Sequence, residues 1–156
     1  MNIDDDEYLN HYMKRVYLHD SDDGRWLRWM DAICFPDYEP FEFDETNWYI
    51  LEYDGTYVGY CGWRKASDDV AELCRAGVLP QERGNGFQRY MIEYRERQAK
   101  RDGFTFCVST TSPFNHVSIN NLIRAGYMTF DGSDCPNVLP DKNNGIVSSV
   151  FWKKKL

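Results

Sequence analysis

Two glycines, Gly84 and Gly86, stand between an apolar run that ends at Val78 and a long amphipathic segment. The first N–H groups of a helix have no partner within the helix and lie at the positive end of its dipole, so they bind phosphate well. Glycine lets the main chain come close to such an anion and adopt positive φ. The spacing therefore predicts a phosphate site, with Arg83 and Arg89 placed to neutralise charge. A tight strand–helix connection without a ligand uses the same pattern.

The residues around this turn resemble the GNAT superfamily of acetyl-CoA-dependent N-acetyltransferases. In that family a strand ending in a Val-x-Pro-like pattern is followed by Gln/Arg-x-x-Gly-x-Gly/Ala at the start of a helix. Here Val78-Leu79-Pro80 precedes the turn, and two registers satisfy the glycine motif, residues 83–88 and residues 81–86. We prefer the register that begins at Arg83, because it keeps the family's spacing from Val78. It places Gln88 where the family has Gly or Ala.

A second segment strengthens the resemblance. Residues 115–127 begin with Asn115, contain Ser118 and end in Gly126-Tyr127. They are similar to the family's Asn-x-x-Ala/Ser helix, which ends in Gly-Phe/Tyr and flanks the pantetheine arm of the cofactor. The two motifs together extend the resemblance over residues 48–130.

The resemblance implies acetyl-CoA as co-substrate, with its diphosphate held by main-chain N–H groups of the turn. Its pantetheine arm would pair with the main chain near Val78 and lie beside Asn115. The implied cofactor-binding residues are Val78, Leu79, Arg83, Gly84, Asn85, Gly86, Phe87, Gln88, Arg89, Asn115 and Asn121.

Acetyl transfer to an amine needs a base and a polarised thioester carbonyl. Glu72 lies six residues before Val78, on the same face of an unbroken strand, and matches the catalytic glutamate of the family's histone-acetyltransferase branch. A surface glutamate at a strand end fits equally well. The main-chain N–H near Val78 would polarise the carbonyl. Leu122 occupies the place of the family's proton-donating tyrosine, so the proton must come from Ser118 or water, or the thiolate leaves unprotonated.

The composition fits one globular domain, with 42% hydrophobic and 16% aromatic residues in 156. The predicted fold is a mixed α/β GNAT-like domain whose largely antiparallel sheet of six to seven strands is flanked by helices. Residues 1–46 form a variable acceptor side, residues 47–130 the cofactor-binding core and residues 131–156 the C-terminal strands.

Several elements have clear boundaries in the sequence. Alternating apolar residues predict strands at 48–53 and 56–63, joined at Asp54-Gly55 by a type I′ turn, and a third strand at 70–78. Helices are predicted at 25–33, with Trp26, Trp29, Met30 and Ile33 on the inward face, at 84–101 and at 115–125. Asp22 or Asp23 is the candidate N-cap of the first helix, and Glu96 belongs to the outer face of the second. Weaker patterns place strands at 13–18, 104–109, 127–130 and 146–152, followed by a solvated lysine end.

The net charge of −7 disfavours a general affinity for nucleic acid and favours a cationic acceptor such as an amine. The acidic, aromatic loop at residues 35–45 is the candidate acceptor loop. Five scattered cysteines without C-x-x-C spacing indicate reduced thiols in a cytoplasmic protein, and no metal site is predicted. No apolar run is long enough for a membrane span. The sequence does not decide between a monomer and a homodimer.

We therefore expect an N-acetyltransferase that joins acetyl-CoA and an amine, either a small molecule or a protein lysine or N-terminus, in a ternary complex. The sequence leaves two alternatives: a catalytically silent acyl-CoA-binding regulator, and an acidic interaction protein on the same scaffold.

Overall fold

The computed structural model describes residues 11–17, 21–38, 45–135 and 149–156. Within these ranges the chain forms seven strands and three helices. They are β1 (His11–Val16), α1 (Ser21–Cys34), β2 (Asn47–Tyr53), β3 (Thr56–Lys65), β4 (Val70–Val78), α2 (Phe87–Arg101), β5 (Phe106–Thr111), α3 (His116–Arg124), β6 (Met128–Thr129) and β7 (Val150–Lys155).

The strands form one mixed sheet in the order β1-β2-β3-β4-β5-β7-β6. The pairs β1–β2, β2–β3, β5–β7 and β6–β7 are antiparallel, whereas β4 and β5 run parallel. The parallel register joins three residue pairs, from Val70 with Phe106 to Glu72 with Val108. A mixed, mostly antiparallel sheet with flanking helices confirms the predicted fold class.

The hairpin between β2 and β3 has the predicted turn. Asp54 and Gly55 both have positive φ, 49° and 79°, and Tyr53 pairs with Thr56 across them. A type I′ turn needs positive φ at both central positions, which explains why this dipeptide identified the hairpin in the sequence.

The chain divides into two compact units, each with its own core. The first comprises Met1–Trp63 and Cys74–Tyr94, and the second comprises Arg64–Leu73 and Arg95–Leu156. The core of the first unit contains Val16, Leu27, Met30, Trp48, Ile50, Tyr60 and Leu79. The second unit has a cluster of Val70, Val108 and Cys135, against which Ala66, Phe106, Phe130 and Phe151 pack.

The inward face of α1 differs from the prediction. Leu27 and Met30 are 1% and 0% exposed, whereas Trp26 and Trp29 are 46% and 47% exposed and touch each other edge to face. Ile33 is also exposed. The prediction assumed that the large tryptophan rings face the core. In the structure the buried face of the helix follows Leu27 and Met30, and the tryptophans lie beside that face. Asp22 and Asp23, the candidate N-caps, lie inside the first turn of α1. A negative charge there interacts favourably with the positive end of the helix dipole.

The predicted start of α2 was also wrong by three residues. Gly84 and Gly86 have φ of +84° and +77°, which no helical residue adopts, so the helix begins at Phe87. Glu96, expected on the outer face, is buried and forms an ion pair with Lys154 at 2.8 Å.

The lysines at the end of the sequence belong to β7 and do not form a solvated end. Lys153 forms an ion pair with Asp134 and lies 4.6 Å from the centre of the Phe106 ring. Trp152 donates a hydrogen bond from Nε1 to Thr111 Oγ1 at 2.9 Å. The strand begins at Val150 and extends three residues beyond its predicted end, and part of the prediction, residues 146–148, lies outside the described residues.

Gly59 sits where two strands approach closely, and this gives a test of the first unit. A Cβ at this position would lie 2.7 Å from the main-chain oxygen of Gly77, which cannot move without disturbing β4. We expect Gly59→Ala to lower the free energy of unfolding by about 1–3 kcal/mol, measured by urea denaturation. Thr56→Ala, at the exposed start of the same strand, should change it by less than about 0.5 kcal/mol. Equal values for the two variants would contradict the close approach.

Candidate functional site

The end of β4 is anchored before the glycine turn begins. Leu79 is buried, and its N–H donates to Val58 O at 2.9 Å on the neighbouring strand. Its carbonyl accepts the N–H of Glu82 at 2.8 Å, which closes a single 3-10 turn over Pro80–Glu82. The following residues therefore leave the sheet from a fixed point.

The glycine turn leaves open space around its main chain. A Cβ built on Gly84 or Gly86 would meet nothing within 4 Å, and both residues have positive φ. Asn85 holds the turn from inside, because its Nδ2 donates to Glu82 O at 2.9 Å. The turn is thus shaped by its own contacts while its glycines stay open to a ligand.

The start of α2 presents main-chain donors at this turn. The buried Phe87 ring fixes the first helical residue, and Tyr90 N–H donates to Gly86 O at 3.1 Å as the helix begins. Among the described residues, several earlier N–H groups find no main-chain acceptor. These are the N–H groups of Gly84, Asn85, Gly86, Phe87 and Arg89. Such a set, at the positive end of a 15-residue helix, suits an anion.

Two arginines flank the turn and use different partners. Arg89 Nε lies 3.2 Å from Glu93 Oε1, one turn along α2. Arg83 instead folds back along the chain, and its Nε donates to Val78 O at 3.2 Å. Both arginines are close in sequence to the glycine turn, Arg83 immediately before it and Arg89 in the first turn of α2.

The carbonyl of Val78 also accepts a hydrogen bond from α1. The Cys34 Sγ lies 3.4 Å from Val78 O. Burial raises the pKa of the Cys34 thiol, which the neighbouring Arg83 partly offsets. A raised pKa keeps the thiol protonated near neutral pH, so Cys34 is a weak nucleophile.

A buried ion pair joins α1 to β4. Arg75 Nη1 lies 2.9 Å from Asp31 Oδ2 and 3.1 Å from Oδ1, and the Asp31 side chain is 7% exposed. The Tyr60 hydroxyl donates to Asp31 Oδ1 at 2.5 Å. Burial, reinforced by the negative charge of Asp31, raises the pKa of Tyr60 above its ordinary value, so the phenol stays a donor. Asp31 therefore accepts hydrogen bonds from both β3 and β4.

The Arg75 guanidinium also contacts the first aromatics of the predicted acceptor loop. It lies 5.0 Å from the centre of the Phe35 ring and 5.4 Å from that of Tyr38, in positions suited to cation–π attraction. The described part of this loop thus already holds one cation of the chain itself. Residues 39–44 of the loop lie outside the described residues.

Glu72, the predicted base, is buried and paired. Its side chain is 7% exposed, and Arg64 Nε donates to its Oε2 at 3.2 Å. A carboxylate is a type of group that takes a proton from an amine. The same contact also describes a structural ion pair, so the role of Glu72 stays a prediction.

The helix α3 begins as the second motif implied. Asn115 is its N-cap, with Oδ1 accepting the N–H of Ser118 at 3.2 Å. Asn121 lies in the last turn, where its carbonyl accepts Ala125 N–H at 3.0 Å. Leu122 is buried, so the position that resembles the family's tyrosine serves the core. The roles predicted for Asn115, Ser118 and Asn121 stay predictions.

Sequence reasoning missed the set formed by Asp31, Arg75 and Tyr60. A signal was present, because Arg75 is a charge inside an apolar strand and Asp31 follows the buried Met30. Charged side chains are almost never buried unless they are paired. An arginine and an aspartate on two buried elements could therefore have been matched before the structure was known.

A comparison with family models decides the identity of the fold. The model of the acetyltransferase (GNAT) family matches residues 7–127, most of the chain. The chain belongs to this family. It is therefore an acyltransferase of the GNAT type, as the two motifs implied. A search of curated proteins found no match.

Solved GNAT structures share the fold at low identity. A GNAT acetyltransferase from Elizabethkingia anophelis with acetyl-CoA bound has a TM-score of 0.74 at 13% identity, over 94% of this chain and 99% of that one. A Bacillus subtilis acetyltransferase in complex with CoA has a TM-score of 0.73 at 14% identity, with the same coverage of 94% and 99%. A ribosomal-protein alanine N-acetyltransferase from Escherichia coli has a TM-score of 0.73 at 12% identity, over 93% of each chain.

Two further searches concern metals and membranes. In the ranges that the structure describes, no group of three or more His, Cys, Asp or Glu residues could hold a metal ion. No helix in those ranges is long and apolar enough to cross a membrane.

Two aspartates of α1 test the buried ion pair. Asp31→Asn should lower the free energy of unfolding by about 3–5 kcal/mol, because it removes the buried carboxylate that pairs with Arg75. Asp23 is the matched control, since it pairs at 2.9 Å with Lys14, whose side chain is 38% exposed. We expect Asp23→Asn to cost less than about 1 kcal/mol in the same urea titration. Similar costs for both would show that the Asp31 pair adds no more than a surface one.

Proposed function

We propose that this chain transfers an acetyl group from acetyl-CoA to an amine by direct attack in a ternary complex. The observation that carries the proposal is the turn at Gly84 and Gly86, with open glycines and main-chain donors at the start of α2. The ligand in this proposal is the diphosphate of a coenzyme A thioester, which is supported by solved GNAT structures that hold acetyl-CoA or CoA.

The fit of the turn to a diphosphate rests on its backbone. Both glycines have positive φ and empty space at the Cβ position, so phosphate oxygens can reach the N–H groups directly. This supports the motif register at residues 81–86, in which Gly84 and Gly86 fill the two glycine positions. In the register from Arg83 the last position falls on Gln88, inside α2. Arg83 and Arg89 supply positive charge in either register.

An amine acceptor is supported by the charge of the chain and by its structural neighbours. The net charge of −7 attracts a cation before the reaction. The Escherichia coli neighbour acts, by its printed name, on the alanine of a ribosomal protein, and an N-acetyltransferase acts on nitrogen. The acceptor reaches the protein as an ammonium ion and must lose a proton to become a nucleophile.

Chain residues supply the remaining chemistry in this proposal. The Glu72 carboxylate takes the proton of the ammonium, and a main-chain N–H near Val78 donates to the carbonyl oxygen as negative charge develops there. Ser118 or water protonates the leaving sulfur, since Leu122 has no proton to give. The raised pKa values of the Cys34, Cys107 and Cys135 thiols argue against an acetyl-cysteine at these three residues. Burial raises the pKa of Cys107 and of Cys135 to about 12.

A catalytically silent acyl-CoA-binding protein is the second candidate. Two observations favour it, the buried Leu122 at the tyrosine position and the Arg64 contact that occupies one oxygen of Glu72. Both candidates bind acetyl-CoA through the same turn, so binding and turnover must be measured separately.

Binding is tested with two glycines that have similar positive φ angles. Gly84 and Gly103 have φ of +84° and +94°, and a Cβ on either would meet nothing within 4 Å. Ala at either position carries a similar strain of about 1 kcal/mol. We expect Gly84→Ala, by calorimetry, to weaken acetyl-CoA binding about tenfold or more, because a methyl group enters the space of the diphosphate. Gly103→Ala should bind like the parent, and equal loss in both would contradict the site.

Turnover is tested at Glu72. Glu72→Gln keeps an oxygen that accepts from Arg64 but cannot take a proton. We expect release of the CoA thiol with an amine panel to slow about 100-fold or more, with acetyl-CoA affinity unchanged. Asp68→Asn, a fully exposed carboxylate paired with Lys65 at the surface, is the control and should keep full activity. If Glu72→Gln is as active as the parent at every pH tested, Glu72 is not the base. If the parent binds acetyl-CoA but shows no turnover, the catalytically silent candidate is supported.

A further inference from the structure

Arg83 occupies a main-chain acceptor that the proposed acyl donor would need. Its Nε donates to Val78 O at 3.2 Å, at the end of β4. The GNAT resemblance implies that the amide-bearing arm of the thioester pairs with the main chain near Val78. The guanidinium and the arm therefore compete for one carbonyl oxygen.

The same side chain lies at the anion site. Arg83 immediately precedes Gly84, and the turn continues into the main-chain donors at the start of α2. Arg83 is exposed, so its guanidinium can rotate away from Val78 without leaving a buried cavity. One side chain thus has two partners within reach, a neutral carbonyl and a bound anion.

The two partners differ in strength. A guanidinium bond to a neutral, partly solvated carbonyl contributes modestly to stability, whereas charge-assisted and bidentate bonds to phosphate are roughly twice as strong. A diphosphate at the turn would therefore draw Arg83 away from Val78. The Cys34 thiol lies 3.4 Å from the same oxygen and would stay there, so the departure of Arg83 opens one of the two acceptor positions of Val78 O to the arm of the same ligand.

We propose that Arg83 makes this chain selective for acyl donors that carry a diphosphate, by blocking Val78 O until a diphosphate displaces it. The inference rests on the proposed function and adds a specificity residue to it. Coenzyme A thioesters satisfy the requirement, whereas pantetheine thioesters without a diphosphate meet an occupied carbonyl. Arg83 is a specificity-determining residue and takes no part in proton transfer.

Splitting the donor into two fragments tests the exchange. S-acetylpantetheine is titrated by calorimetry in the absence and presence of inorganic pyrophosphate. In the parent, pyrophosphate should raise the affinity for S-acetylpantetheine about threefold to tenfold, because it releases Val78 O. In Arg83→Met, which keeps the apolar stem but has no donor, S-acetylpantetheine should bind equally well with and without pyrophosphate. Its affinity in both cases should match that of the parent with pyrophosphate.

Arg89 provides the matched control. It carries the same charge at the start of the same helix but pairs with Glu93 and not with Val78. Arg89→Met should weaken pyrophosphate itself and yet keep the gain in S-acetylpantetheine affinity once pyrophosphate is saturating. This separates the loss of a cation from the loss of the contact with Val78.

A second measurement needs no acyl donor. The carbon resonance of the Val78 carbonyl reports its hydrogen bonds, and the Arg83 Nε–H resonance reports its partner. Both should move together when pyrophosphate alone is added to the parent, and the Val78 resonance should not move in Arg83→Met.

The exchange is overturned if pyrophosphate leaves the affinity for S-acetylpantetheine unchanged in the parent, or if the gain persists in Arg83→Met. Acetyl-CoA is titrated in the same series. If the parent protein binds acetyl-CoA and Gly84→Ala weakens that binding, the proposed function is supported even though the role of Arg83 is rejected. A parent that binds no acetyl-CoA overturns both.

Discussion

The first unit depends on a single buried carboxylate. Asp31 accepts bonds from Arg75 on β4 and from Tyr60 on β3, so one side chain of α1 fixes the helix to two strands. A buried charge is costly unless every partner is in place, and this requirement makes the arrangement specific. Three residues after Asp31, Cys34 reaches Val78 O. The contacts that Asp31 and Cys34 of α1 make with the sheet therefore help to fix the end of β4 and the turn that follows it.

The glycine turn combines two properties that rarely coincide, a defined shape and open space. The shape comes from internal bonds, because Leu79 is held by β3 and Asn85 bonds to Glu82. The space comes from residues without side chains. A site of this kind binds through main-chain groups, so it tolerates sequence change everywhere except where a Cβ would intrude. Two solved structures at 13% and 14% identity share the fold and hold acetyl-CoA or CoA.

Local rules predicted those elements whose cause is local. The β2–β3 hairpin follows from the conformations of Asp54 and Gly55, and the bounds of β4 follow from its apolar pattern. The inward face of α1 could not be predicted from ring size, since Trp26 and Trp29 lie beside the core and not in it. The strand β7 was placed too early, because lysines suggest solvent unless their distant partners, such as Glu96 and Asp134, are known. The motifs located the turn but not the arginine that folds over it, because a side-chain rotamer leaves no pattern in a sequence.

The order of strands in the second unit constrains how that unit assembles. β7 lies between β5 and β6, although both of those strands precede it in the chain. Neither β5 nor β6 can complete its ladder until β7, which follows both of them in the chain, has joined the sheet. Strands that are far apart in the sequence pair slowly, because closing the loop between them costs conformational entropy before any contact has formed to offset that cost. Until then the edge of β5 is unpaired, which is the condition under which strands of different molecules join. The topology of this unit therefore favours slow folding and leaves an edge that another molecule can pair with, for reasons independent of its chemistry.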